Sequence, residues 1–239
     1  MLIVYLVLFF TVISSGSAFF LFKSENEKVM KLLLAFSGAF LIGISFMKLV
    51  PEVFGSGVAF AGLFVMIGFL IQLVLELITE GVEHGHRHEH HENESVSPFI
   101  LLTGLCVHAF LEGTPISAEI DKHITHSIVI GIVIHNIPIS LTLMSLLLHY
   151  GCSKGKSLVY LTLFAIMSPL GAIISSLIPF GPLFSSHTFF AYSMAIVIGI
   201  FLHVSTSILF EAGDHHKYNI QKFIMVCIGI LTAFGLCFL

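Results

Sequence analysis

An imidazole and a carboxylate four residues apart interrupt an apolar run near the middle of this chain: Cys106-Val107-His108-Ala109-Phe110-Leu111-Glu112-Gly113-Thr114-Pro115. On a helix, His108 and Glu112 share one face, a turn apart. A second apolar run carries Ile134-His135-Asn136-Ile137-Pro138-Ile139-Ser140-Leu141, and a third carries Met167-Ser168-Pro169-Leu170-Gly171. Two imidazoles and a carboxylate can ligate a divalent transition metal such as zinc, leaving a position for water or a further ligand. Asn136 and Ser168 offer oxygens that would complete such a set or hold it in place. Glu112 brings the charge that makes a dication tolerable away from water. Each motif also contains a proline. Pro115, Pro138 and Pro169 each lack an N–H, which predicts kinked helices with freed carbonyls at Leu111, Ile134 and Ala165.

The elements that must position these groups follow from composition. The chain has 239 residues, 56% of them apolar and 10% charged, with a mean hydropathy of +1.03. Soluble domains carry about 25% charged residues, and a core of this size could not hide so much apolar surface. Lys+Arg is 10 against Asp+Glu 14, with no basic stripe, which excludes a nucleic-acid partner. The chain therefore reads as an all-α, multi-pass integral membrane protein whose surroundings are the lipid bilayer. Continuous rather than alternating apolar runs mean helices, not a barrel.

A crossing needs about 20 apolar residues, and eight runs qualify: Leu2 to Phe22, Leu32 to Val50, Gly57 to Ile78, Pro98 to Ala118, Ser127 to Leu148, Ser157 to Ile178, Thr188 to Phe210 and Phe223 to Leu239. They form a single transmembrane domain over 1–239, with one long inner loop at 80–97. The first run is read as a span rather than a cleaved leader, because no basic residue precedes it and lysines follow. With both ends outside, Lys23, Lys28, Lys31, Arg87, Lys154, Lys156, Lys217 and Lys222 all lie on the inner side. Lys48 and Lys122 alone lie on the outer side, as the positive-inside bias requires.

Depth tests whether the motifs can meet. At about 1.5 Å per residue, Glu112 lies about 9 Å and His108 about 15 Å below the outer end of the fourth span. On the same scale His135 lies about 12 Å and Ser168 about 15 Å down. Ligand-type side chains of adjacent antiparallel spans thus fall at one level. His203 lies about 10 Å from the inner face and reads as an exit-path or packing residue rather than a primary ligand. Lys48 and Glu76, near span ends, are expected to snorkel toward water.

The connecting segments repeat the same chemistry. Glu83-His84-Gly85-His86-Arg87-His88-Glu89-His90-His91-Glu92 forms an inner tract of imidazoles suited to loose metal binding. On the outer side Glu119, Asp121, His123 and His126 crowd the segment between the two ligand-bearing spans, where they could gather cations at an entrance. Cys106, Cys152, Cys227 and Cys237 make no paired motif and read as small hydrophobes.

These motifs resemble the ZIP (Zrt/Irt-like) family of divalent metal transporters over nearly the whole chain. The resemblance rests on His108-x-x-x-Glu112-Gly113, His135-Asn136-Ile137-Pro138, Ser168-Pro169-Leu170-Gly171, Leu49-Val50-Pro51-Glu52 and the histidine-rich segment between spans three and four. It implies an inverted three-helix repeat around two central helices, often dimeric. It also implies uptake of zinc, or of iron, manganese or cadmium, into the cytosol across the cell membrane, with one helix group sliding against the other. Many members have a second carboxylate after the fifth-span proline, where Ile139 stands here. Asn is frequent at the position of Ala109, and an acid at that of Ser168. The parts of a two-metal site are thus largely missing, and one metal is expected.

The functional expectation is a carrier with no organic cofactor that grips one dehydrated metal ion at His108, Glu112 and His135. An intramembrane metal-dependent hydrolase, with Glu112 as base to a metal-bound water, is the rival from another class. It lacks a HExxH motif and an accompanying nucleophile. A metal sensor without flux is the third reading. The absence of a Walker motif argues against an ATP-driven pump.

Overall fold

In the computed structural model, the described residues are 1–21, 27–79, 97–116, 122–180, 185–211, 220–236 and 238. The histidine tract from His84 through His91, the outer acids Glu119 and Asp121, and Asp214, His215 and His216 lie outside them. Among the described residues every regular element is helical. The helices are α1 (Leu2–Ala18), α2 (Glu27–Ile44), α3 (Val50–Gly55), α4 (Ala61–Thr79), α5 (Pro98–Gly113), α6 (Lys122–His149), α7 (Lys154–Ser176), α8 (Ser186–Glu211) and α9 (Ile220–Leu236). A π-helical turn, Ser45–Leu49, joins α2 to α3, so these nine segments make eight rods. Each rod overlaps one of the eight apolar runs.

Local sequence explains several helix ends. Ser97 begins α5: its Oγ accepts the Phe99 N–H, and Pro98 fills the first helical position, where an N–H would lack a partner. Ser153 caps α7 in the same way, accepting the Lys156 N–H. Helix α6 closes on Gly151 at φ +76°. There the Cys152 N–H reaches Leu147 O at 2.9 Å and the Gly151 N–H reaches Leu148 O at 3.1 Å. That is the paired closure a left-handed glycine permits.

Two ends differ from the sequence reading. The second span does not stop at Val50 but continues through Pro51 to Gly55. Pro51 has no N–H for the Met47 carbonyl and its ring crowds that oxygen. The wider π turn just before it relieves the crowding without ending the rod. Helix α5 ends at Gly113, well short of Ala118. Pro115 consequently lies beyond the helix and kinks nothing, and the Leu111 carbonyl is not freed: it accepts the Thr114 N–H at 3.1 Å and the Thr114 hydroxyl at 2.8 Å. Pro138 and Pro169 do sit inside helices, and α6 and α7 continue past them.

The rods sort into two groups. Helices α1, α5, α6 and α7 pack on one another, chiefly as α5 with α7 and α1 with α6. Their shared core includes Val12, Leu101, Leu105, Ala109, Leu143 and Phe164. Helices α2, α4, α8 and α9 form the other group, chiefly as α2 with α9 and α4 with α8. These leading pairs map onto one another when α1 exchanges with α7, α2 with α8, α4 with α9 and α5 with α6. That is the neighbour pattern of a repeated three-helix unit around a central pair.

Large apolar side chains on the outer surfaces of α4 and α9, among them Leu63, Met66, Leu70, Phe223, Leu231 and Phe234, are exposed. Water would not tolerate such faces, whereas lipid solvates them. Five rods are long and apolar enough to cross a bilayer outright, and α1, α5 and α9 are shorter apolar helices. The chain is a multi-pass integral membrane protein.

Candidate metal centre

Helix α5 delivers His108 and Glu112 from its last turns, and α6 delivers His135 from its middle. Their exposures are 1%, 0% and 0%. One ligand atom from each lies within 4.8 Å of the others, which makes this a group able to hold a metal ion. Nε2 of His108 stands 2.9 Å from Oε1 of Glu112. The two imidazole rings meet edge to face at 5.7 Å. Donor atoms on one tetrahedral zinc sit about 3.4 Å apart, so small side-chain rotations would close the three groups around an ion.

The short α5 sharpens the electrostatics. Because the helix stops at Gly113, Glu112 sits at its C-terminal end, where the backbone dipole is already negative. A carboxylate there is unfavourable by itself. A cation beside it is favoured twice, by the formal charge and by the helix end. Reading the fourth span as continuing to Ala118 hid this feature.

Backbone proximity fixes the frame. A Cβ on Gly113 would overlap the Ser168 carbonyl, and one on Gly171 would overlap the Phe110 carbonyl. Helices α5 and α7 therefore touch backbone to backbone through reciprocal glycines, as small residues allow in membranes. Ser168 is thereby placed next to the helix end that carries Glu112. Ser168 is buried, as is Asn136, whose Oδ1 has no hydrogen-bond partner among the described residues.

Three further side chains, which the sequence reading did not single out as site residues, join the polar interior. Gln72 of α4 is fully buried and its Oε1 lies 2.8 Å from Nδ1 of His108. Ser37 of α2, also buried, lies 3.2 Å from Nδ1 of His135. Glu76 corrects an expectation: rather than snorkelling, its Oε2 stands 3.2 Å from Nδ1 of His203 and accepts the Ser207 hydroxyl at 3.2 Å. His203 is buried on α8, edge to face with Phe69 at 4.7 Å. A polar residue within an apolar span was the available signal for Gln72, and its spacing of four from Glu76 puts both on one face of α4. Of the outer-side candidates, His123 and His126 are described, and both are exposed near the start of α6. Cys106, Cys152 and Cys227 are free thiols.

Rods, lipid-facing surfaces and a buried histidine–carboxylate group together define the class: a polytopic helical membrane protein with a candidate metal centre between its two helix groups. Residues 82–236 match the family model described as ZIP zinc transporter, and the chain belongs to that family. It is also similar to zinc transporter ZIP9-B of Xenopus laevis, at 28% identity over 122 residues. That match spans 50% of this chain and 40% of the frog protein.

Proposed function

We propose that this protein carries a divalent metal ion, zinc in the first instance, across its membrane into the cytosol. His108, Glu112 and His135 bind the ion. The observation that carries the reading is the convergence of these three buried side chains within 4.8 Å. Family membership and the similarity to a zinc transporter support it. Fe2+, Mn2+ and Cd2+ are alternative cargo, because an imidazole–carboxylate set accepts several such ions.

In this reading Asn136 and Ser168 steady the ligand set or lend it oxygens. His123, with Glu119 and Asp121, collects cations on the outer side. His203 and Glu76 pass the ion on toward the tract from His84 to His91. The lysine and arginine distribution supports an arrangement with both ends outside in the cell membrane, and the family resemblance supports a homodimer. Imidazole ligates only when neutral and carboxylate only when ionised, so protons and metal compete for the same atoms.

Uptake of radiolabelled zinc into proteoliposomes tests the proposal. Replacing both His108 and Glu112 by Ala should abolish uptake. Wild-type transport by that double variant would end the proposal. Saturable binding without flux in the wild-type chain would make it a sensor instead.

A further inference from the structure

The two candidate ligand imidazoles belong to one helix group, but their far nitrogens are held by the other. Nδ1 of His108 on α5 meets Oε1 of Gln72 on α4 at 2.8 Å. Nδ1 of His135 on α6 meets Oγ of Ser37 on α2 at 3.2 Å. An amide oxygen can only accept, so the Gln72 contact requires a proton on Nδ1 of His108, which leaves Nε2 as the nitrogen that can face a metal. The Ser37 hydroxyl can accept in the same way.

Gln72 is an expensive residue for its place. It is fully buried on a helix that is otherwise mostly apolar, and its Nε2 has no hydrogen-bond partner among the described residues. A leucine would pack there without leaving a buried amide group unsatisfied. Packing alone therefore does not account for Gln72, whereas the bond to His108 does.

We propose that Gln72 and Ser37 are positioning residues for the metal: each accepts a hydrogen bond from Nδ1–H of a ligand imidazole, so that Nε2 of His108 and of His135 is the nitrogen presented to the ion. The inference rests on the reading of His108, Glu112 and His135 as ligands. Partners of this kind fix the tautomer and ring orientation and raise ligand basicity, and losing one costs about 10–100-fold in affinity or activity. The same bonds tie the ligand-bearing helices to α2 and α4, so metal affinity depends on how the two groups are set against each other.

The test uses the full chain in lipid nanodiscs and Zn2+ alone. Site binding is taken as the part lost in the chain with His108→Ala and Glu112→Ala, which removes any contribution from the histidine tract. Gln72→Leu should weaken that binding about tenfold, and in proteoliposomes it should raise the KM for zinc uptake while leaving the maximal rate in place. Gln72→Glu restores an acceptor at the same reach and should bind at least as tightly as wild type. Ser37→Ala should weaken binding less than Gln72→Leu, because its contact is longer. A Gln72→Leu chain within twofold of wild type, or a Gln72→Glu chain as weak as Gln72→Leu, overturns the inference and leaves the ligand assignment standing. If the His108→Ala, Glu112→Ala chain loses no binding, the ligand assignment itself falls.

Discussion

The pairs His108–Glu112 and His203–Glu76 are the same two side chains in different settings. The first lies within one helix, four residues apart, with atoms 2.9 Å from each other. The second bridges α8 and α4 at 3.2 Å, and Glu76 keeps 15% of its side-chain surface accessible. Around the first stand a third candidate ligand, His135, and the negative end of a short helix. Around the second stand a hydroxyl, Ser207, and the edge of Phe69. A histidine beside a glutamate thus occurs here in two different surroundings. The third donor and complete removal from solvent set the first pair apart; in the proposed function the second pair would be occupied only briefly.

That contrast can be broken most severely by removing the third donor. His135→Ala leaves the first pair with the ligand count of the second, and zinc affinity measured by equilibrium binding should fall by more than about 100-fold, beyond the usual cost of losing a supporting partner. An unchanged affinity would erase the distinction. A milder effect is expected from Glu76→Gln or His203→Ala. Each should slow maximal zinc uptake about threefold to tenfold with little change in KM, a range set below the loss of a direct ligand. A rise in KM without loss of rate would instead make the second pair part of the primary site. Ser207→Ala, which removes one hydroxyl from Glu76, should alter the rate by no more than about twofold, in line with about 0.5 kcal/mol for a single partly buried hydrogen bond.

Much of this arrangement was legible in the sequence. The eight rods follow from hydropathy because lipid admits few alternatives for an uninterrupted apolar run. The meeting of His108, Glu112 and His135 followed from depth along two antiparallel helices, since rise per residue is nearly constant. Helix ends were harder to read. Apolar residues continue past Gly113 to Ala118, so nothing in hydropathy marked the stop that puts Glu112 on a helix terminus. Pro51 looked like an end and proved to be spanned by a π turn. Gln72, Ser37 and the partnership of Glu76 with His203 depend on which rods are neighbours, and rod order is not encoded in any one segment.

The reciprocal contact of Gly113 and Gly171 constrains the proposed transport. Where two main chains touch directly, no side chains lie between them to re-sort, so α5 and α7 cannot creep past one another in small steps. Any displacement that carries Glu112 must take Ser168 and its neighbours along as one solid piece. The slip plane must then lie elsewhere, along seams lined by side chains.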